Sequence, residues 1–487
     1  MIMTDTTSRL HGSGICLAIE EAEKLNLEPS DLYSGQFQFS RDSTPPIAEY
    51  LSVKIGERYL HHSASLDIVR IFAADTLCAI LIGVALNAEG KLLAGDLKLD
   101  LKYDSDLHRK LEEIIAGFVG RFAVFTSTPS GQYVYTDTVG EMGVVFDRET
   151  GIVGSTLPII LYRPINERDD FLHIKVQKSL GQYSLGYTTD KSCWRLMPNH
   201  SLKLDTFEQA RFWPTDNALM EPRRLRHDEV IDRLIALLRQ NTVGFLEGKP
   251  CLMALSGGQD SRMLLAASRD KMHLAKMIFG TDFGWNSGRD CDAAEIIAER
   301  VGLSFKRITG NKPKRWGKRV FLARVGYAVN AGGTDSIKIY NKLPKDHLLI
   351  RGNVFGLTRA NDWNPRKDSV ANPSNVRFGM KRLKMGQAIS DEIRPSDLKK
   401  RYLDWRNSLP DLCRENSLDF SFCENYLPNS LGARNYSHTN VTLVNPFADR
   451  RIIMLCLAIP PLERKHLLIN EGILNKTAPD LADIPFF

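Results

Sequence analysis

Residues 249–269, Lys-Pro-Cys-Leu-Met-Ala-Leu-Ser-Gly-Gly-Gln-Asp-Ser-Arg-Met-Leu-Leu-Ala-Ala-Ser-Arg, constrain the fold of this chain more than any other stretch. A short apolar segment, Cys251 to Leu255, runs into a turn at Ser256, Gly257 and Gly258, then into apolar positions at helical spacing, Met263, Leu264 and Ala267. The pattern predicts a buried strand, a tight loop and a helix. Gly257 and Gly258 keep the turn free of Cβ atoms, so successive N–H groups can curl around an anion while the new helix presents its positive end. Ser256 and Ser261 add hydroxyl donors, and Asp260 sets a carboxylate beside them. That carboxylate would repel phosphate unless a cation lay between, which predicts Mg2+ bridging Asp260 to phosphate oxygens. A Walker-type loop is excluded, because no Gly-Lys-Ser/Thr closes the turn. The plainer reading is an ordinary strand-to-helix turn with an Asp near the cap.

Leu255-Ser256-Gly257-Gly258-Gln259-Asp260-Ser261 resembles the pyrophosphate-binding loop of the ATP pyrophosphatase superfamily, and its surroundings resemble the asparagine synthetase-type branch. The resemblance implies an α/β doubly wound, adenine nucleotide alpha hydrolase-like domain. Members of that superfamily cleave ATP between the α and β phosphates and adenylate their substrate.

At 487 residues and 43% hydrophobic, the chain is too long for one ordinary domain, and two or three are expected. The net charge of +6 is mild for this length and does not call for a nucleic-acid partner. Eight cysteines (16, 78, 193, 251, 291, 413, 423, 456) lie scattered without Cys-x-x-Cys pairing. This argues against a disulfide framework or a structural zinc and fits a reduced cytoplasm. No leading apolar segment has signal-peptide form, and the longest apolar run, Ile68 to Leu86, is broken by Arg70, Asp75 and Thr76. Successive buried strands fit that run better than a membrane span does, so the expectation is a cytoplasmic chain with no membrane partner.

The first 60 residues are polar and mixed, with no period to read. From residue 65 the pattern becomes β-rich, in Leu66–Ala74, Leu77–Leu86 and the alternating Lys91–Leu101. Leu107 to Phe118 has helical spacing, and strands separated by Pro-Ser-Gly and Glu-Thr-Gly turns follow as far as Thr156. Short strands with one or two helices predict an α+β sandwich. Gly120 to Val124, Tyr135 to Gly140, Gly154 to Thr156, and Arg195 to His200 leading into Phe212-Trp213-Pro214 are similar to the rear half of the asparagine synthetase glutaminase domain. In that family the domain is an N-terminal-nucleophile (Ntn) sandwich that frees ammonia from glutamine, with a cysteine as second residue whose own α-amine is the base. This chain reads Met1-Ile2-Met3, its first cysteine, Cys16, is internal, and the family's Asn-Gly-Glu glutamine-binding segment has no counterpart. Residues 1–215 are therefore expected to form a degenerate glutamine amidotransferase-like (Ntn) domain. A Cys16 nucleophile exposed by processing is the alternative. His61, His62 and His200 have no carboxylate or thiol at metal spacing and read as structural.

Pro214 to Arg224 reads as a linker opening a second domain, residues 216–487. An amphipathic helix is predicted over His227–Leu246. Beyond the loop the pattern alternates as a doubly wound sheet should: strand Leu274–Phe279, helix Arg289–Val301, strand Ser304–Ile308, helix Trp316–Val329, strand His347–Arg351. Ligands in such sheets sit at the carboxyl ends of the strands. By the resemblance, Phe279 and Gly280 lie along adenine and ribose. Gly284 to Asp290 is similar to the family's Ser-x-Asp turn opening a helix, and Ser287 or Asp290 as a plain cap is equally compatible.

Leu349 to Arg359 falls where the family has a second loop, Ser-Gly-x-Gly-x-Asp-Glu, whose acid holds magnesium. Only Arg351-Gly352 fits it, and Gly356 and Leu357 stand where acids are expected. The missing carboxylate would come from Asp282, Asp335 or Asp362, or Arg351 and Arg359 would neutralise pyrophosphate directly. Basic clusters at Lys312–Arg319, Arg377–Lys384 and Lys399–Arg401 read as solvated helix faces, and Asp362–Ser374 as a lid or loop. Val444-Asn-Pro-Phe-Ala-Asp resembles the turn that closes the synthetase domain. Arg464-Lys465-His466-Leu467 falls where the family has Lys-Tyr-x-Leu-Arg, which gives Lys465 the role of taking up charge on departing pyrophosphate, with Asn470 in place of the arginine.

The expectation is an ATP-dependent, AMP-forming amide (carbon–nitrogen) ligase, asparagine synthetase-like without glutaminase activity, using ATP and Mg2+. A carboxylate substrate would be adenylated and passed to an amine, which is free ammonia, a second substrate or an amine in the same molecule. Leu255, Ser256, Gly257, Gly258, Asp260, Ser261, Phe279, Gly280, Arg351 and Gly352 would surround the nucleotide, with Asp260 on the metal and Asp260 and Lys465 as the catalytic pair. A homodimer is compatible with this reading. Two alternatives stay open. One is a catalytically inactive nucleotide-binding or regulatory homologue, which the acid-poor stretch 353–357 permits, and the other is an asparagine synthase still using glutamine.

Overall fold

The computed structural model describes residues 14–173, 176, 182–283, 285–310, 314–329, 339–363, 375–383, 389–390 and 392–486. The polar stretch before residue 65, in which no period is legible, holds a helix, Leu17–Leu25, and three strands, β1 (Phe37–Ser40), β2 (Leu51–Ile55) and β3 (Arg58–His62). The physical reason is that β1 alternates Phe37, Gln38, Phe39 and Ser40 over four residues only, too short a run to stand out, and all four are buried, so the alternation marks no exposed face. After them come β4 (Ile68–Ala73), β5 (Thr76–Leu86), β6 (Gly95–Leu99), the helix Leu107–Ala116, β7 (Val119–Thr128), β8 (Gly131–Thr136), β9 (Val145–Asp147), β10 (Ile152–Gly154), β11 (Cys193–Arg195), β12 (His200–Lys203) and β13 (Glu208–Arg211). These strands form one sheet in the order β11-β9-β10-β1-β3-β2 and another in the order β13-β12-β8-β7-β5-β4-β6.

Alternation along the strands stacks the two sheets. Ile80, Ile82, Ala123 and Phe125 of β5 and β7 face a core shared with Phe37, Phe39 and Leu60 of the other sheet. Ala79, Leu81, Phe122 and Val124 face the opposite way, onto Leu107, Leu111 and Ile115. With both faces covered, these strands read in the sequence as unbroken apolar runs. Leu17, with Leu157 and Ile160 of a short helix, packs on Val145 and Ile152 of the first sheet. The first half is thus layered helix, sheet, sheet, helix.

The long helix His227–Gly248 leads into β14 (Cys251–Ala254), followed by β15 (Met277–Asp282), β16 (Phe305–Thr309), β17 (His347–Ile350) and β18 (Val441–Val444). Helices Gln259–Ala267, Trp285–Arg300 and Arg315–Arg324 lie between successive strands. The last is shorter than the helix expected to Val329, because Gly326 and Tyr327 take left-handed φ values of 61° and 58°. All neighbouring strands here are parallel, in the order β16-β15-β14-β17-β18. Leu252, Leu349 and Leu443 point to one face with Phe279, while Met253 and Ile350 point to the other, onto Leu234, Leu238, Met263 and Leu264. Strand order reverses between β14 and β17, so the turns leaving these two strands face each other across the crevice where such sheets take ligands. β18 is the edge strand, and the first half lies along it: β7 approaches β18, and Val84, Leu86 and Val119 share one core cluster with Val444 and Phe447. All eight cysteines are free and buried. Among the described residues no helix is long and apolar enough to cross a membrane.

Candidate functional site

Leu255 leaves β14 with its N–H on the carbonyl of Phe279 at 2.9 Å, so the two turns that follow start side by side. Gly280, next in line, lies where a Cβ would come within 2.6 Å of the Phe305 ring and 2.7 Å of Cys291 Sγ. The Ser256–Gly258 turn is closed from within. Ser261 Oγ accepts the Ser256 N–H at 3.0 Å and lies 3.0 Å from Ser256 Oγ, which in turn accepts the Gly258 N–H at 3.3 Å. Gly257 is pinned on both sides, its N–H donating to Asp290 Oδ1 at 2.9 Å and its carbonyl accepting from the buried Arg262 at 2.9 Å. Arg262 also donates to the carbonyls of Leu481 and Ile484, at 3.1 and 2.6 Å, tying the turn to the 481–486 segment.

Glycine is needed at position 257 because a Cβ there would sit 2.7 Å from that of Ala293. At Gly258 the same point is open: beyond its chain neighbours only Ser256 Oγ lies near it, at 3.3 Å. No side chain caps the helix Gln259–Ala267, so its positive end faces this open side.

The charge at the mouth differs from the expectation of a metal-bridging acid. Both guanidinium amino groups of Arg359 bind the Asp260 carboxylate, the second at 3.2 Å, and Arg359 also reaches Gln259 Oε1 at 3.4 Å. Burial pushes the Asp260 carboxyl above its ordinary range, and the guanidinium draws it back. Asn470 Nδ2 donates to the same Gln259 oxygen, which brings the helix Leu468–Thr477 against the loop. Asp290, within the helix Trp285–Arg300, uses its carboxylate on the Gly257 amide, while Ser287 Oγ accepts the Phe283 N–H at 2.7 Å.

The turn after β17 is anchored elsewhere. Gly352 packs against Asp260, where a Cβ would meet the Asp260 Cβ and carbonyl carbon at 3.0 Å. Arg351 donates its N–H to Val444 O at 3.0 Å. Its side chain is within electrostatic reach of Glu141, His438 and Arg434, and no hydrogen bond or ion pair joins it to residues 255–261 among the described residues. The Asn353 N–H donates to Asn445 Oδ1 at 3.0 Å, and Asn445 Nδ2 donates to the buried Glu141 of the first half. Leu357 gives its carbonyl to Arg464 at 2.7 Å, and Arg464, fully buried, forms a two-point ion pair with Asp419 at 2.9 Å. Gly356 and Leu357 are themselves buried, and a Cβ on Gly356 would lie 2.8 Å from the Phe422 ring. Carboxylates at these two places would be buried among apolar neighbours, which accounts for their absence.

Lys465 ends the short helix Pro461–Lys465 and is partly buried. Asp282 lies 3.5 Å from Arg307, Asp362 is buried, and Asp335 lies outside the described residues, as do Gly284 and most of Asp362–Ser374. No group of three or more His, Cys, Asp or Glu could hold a metal ion among the described residues. The donor set therefore fits the phosphates of a nucleotide, through the open face of Gly258, the serine hydroxyls and the uncapped helix. It does not fit magnesium as it stands, since of the two carboxylates at the loop Asp260 is held by Arg359 and Asp290 by the Gly257 N–H.

Cys16 is buried, its thiol donates to Pro158 O at 3.3 Å, and burial pushes its pKa up to about 12, the wrong direction for a nucleophile. His61 meets Ser52 Oγ and the carbonyl of Asp42, His62 the carbonyl of Ser63, and His200 that of Pro198, all at 2.8–2.9 Å. The contacts of Asp290 and Asn470 with the first loop, and of Glu141 with Asn445 behind the second turn, join residues tens to hundreds of positions apart and leave no local signal. Compared with models of known protein families and with curated proteins, the sequence matches none.

Proposed function

We propose that the chain is an ATP-dependent, AMP-forming carbon–nitrogen ligase in which a degenerate Ntn-like sandwich precedes an ATP pyrophosphatase-like domain. One observation carries the reading: the Ser-Gly-Gly turn stands at the carboxyl end of the central parallel strand, where the strand order reverses and an uncapped helix begins. Bound ATP would supply a pyrophosphate leaving group and so activate the substrate carboxylate as an acyl-adenylate. Ser256, Gly258 and Ser261 bind and orient the outer phosphates, and Arg359 sets a guanidinium beside them in the position where a metal was expected. The backbone of Phe279 and Gly280 lines the neighbouring turn beside the nucleoside, the Phe279 ring being buried in the sheet core, and Lys465 takes up charge on the departing group. The layered first half fits a retained scaffold, and the buried Cys16 thiol argues against glutamine hydrolysis there.

Two contacts favour a second reading, a nucleotide-binding protein without turnover: the Arg359–Asp260 pair and the Asp290 carboxylate on the Gly257 amide. Pyrophosphate release from ATP across a panel of carboxylates separates the two. Release that depends on one carboxylate supports the ligase, and ATP binding without release supports the second. A chain that ignores ATP in calorimetry loses both.

A further inference from the structure

The seam between the first half and strands β17 and β18 holds a cavity of about 290 Å3 that the ligase reading does not use. It lies at the amino ends of those strands, the sheet edge opposite the Ser-Gly-Gly turn, with Ser34, Ser65 and Arg121 on one side and His347, His438 and Thr442 on the other.

The buried part of its wall is cationic and short of partners. Arg121 is 4% exposed, donates through Nε to the Glu141 carbonyl at 3.2 Å and stacks on the Tyr436 ring at 5.3 Å. Among the described residues no carboxylate lies within ion-pairing distance of it. The neighbouring Arg324, 7% exposed, is likewise held by carbonyls alone, those of Tyr436 and Ser34 at 3.2 and 3.4 Å. His438 is 7% exposed and its Nδ1 has no hydrogen-bond partner. Burial, with the positive field of Arg351, Arg121, Arg324 and Arg434, keeps this imidazole neutral. At the mouth Lys249 pairs with Asp67, and Asp346 stands exposed on the rim, which leaves the mouth one net negative charge outside the cationic interior.

Buried guanidinium groups normally meet carboxylates, and buried imidazole nitrogens normally meet a partner. One guest would satisfy both here, because an oxyanion accepts from Arg121 and, in the Nδ1–H tautomer, from His438, with serine hydroxyls beside it. We propose that this cavity is a binding site for a small oxyanion, a carboxylate or phosphate group on a molecule that fits about 290 Å3. The site is separate from the nucleotide loop and stands whether or not the ligase reading does.

Calorimetry on the full chain, with sodium phosphate and sodium succinate as separate probes, tests it. One probe binds one per chain with a dissociation constant near or below ~1 mM, and which one does so distinguishes a phosphate from a carboxylate guest. His438→Ala weakens that binding about tenfold. Arg121→Met should abolish it but endangers the fold, so Ser65→Trp, which fills the mouth from an exposed position, is the companion variant: it loses the probe and keeps the melting temperature. Two results overturn the proposal. One is that neither probe binds the native chain at ~10 mM, far above the affinity expected of a built site. The other is that His438→Ala and Ser65→Trp bind as the native chain does, which would place the anion at the Ser-Gly-Gly turn instead.

Discussion

The turns after β14 and β17 face each other across one crevice yet are held in opposite ways. The first is secured by its own unit, through Ser261, Asp290 and Arg262, and keeps one open face. The second is tied outward, to Asn445 and through it to Glu141 of the first half, and to the buried Arg464–Asp419 pair. The difference teaches that the second turn has become a packing element. Its contribution to the crevice is Arg359, which neutralises the acid of the first turn instead of adding another.

The largest effect expected from breaking this contrast is at Asp419. Asp419→Ala leaves the guanidinium of Arg464 buried and unpaired, and chemical denaturation should show a loss of about 3–5 kcal/mol. A stability change under ~1 kcal/mol, the range of an exposed pair, would mean that the outward tie is not what holds the second turn. Next comes Gly257→Ala, whose new Cβ lies 2.7 Å from that of Ala293 and should cost about 1–3 kcal/mol by overpacking. Gly352→Ala, at 3.0 Å from Asp260, should cost less, and the reverse order would contradict the assignment of the tighter turn.

Arg359→Met sharpens the comparison by removing the cation that links the two turns. ATP affinity measured without magnesium should fall about tenfold and be recovered by added magnesium, because Asp260 is then free to accept a metal. Equal affinity with and without the ion in both proteins would end the idea that Arg359 stands in for it. The smallest effect concerns Glu141, whose carboxyl burial and the adjacent Asp137 push well above its ordinary 4.5. A raised folded-state value means that the stabilising, protonated form is fully present below about 4.5 and is lost as pH rises through the folded value. Glu141→Gln, neutral throughout, should therefore gain on the native chain as pH rises, in unfolding midpoints taken across that range. Parallel midpoint curves would mean that Glu141 does not carry this titration.

The parallel sheet was legible because β14, β15 and β17 carry short apolar runs punctuated by loops, and the Ser-Gly-Gly turn carries its own chemistry. The long helix His227–Gly248 declared itself through Val230, Ile231, Leu234 and Leu238. β2 and β3 stayed hidden as β1 did, since β2 is largely exposed and β3 buries His61 and His62 with Leu60. The site was half legible. Residue types at the first turn point to phosphate without help, but whether Asp260 meets a metal or an arginine depends on position 359, and sequence spacing does not encode which of several arginines arrives. Arg351 had the better position by resemblance, and its side chain is directed toward the first half.

β18 has a strand on one flank only, and the sandwich supplies what covers the other. Shearing off the front 200 or so residues would bare a hydrogen-bonding rim to which stray chains could add themselves, and would strip the wall from behind Arg324 and Arg434. The front sandwich is thus not free to be discarded, because it is the sheet's guard against its own stickiness.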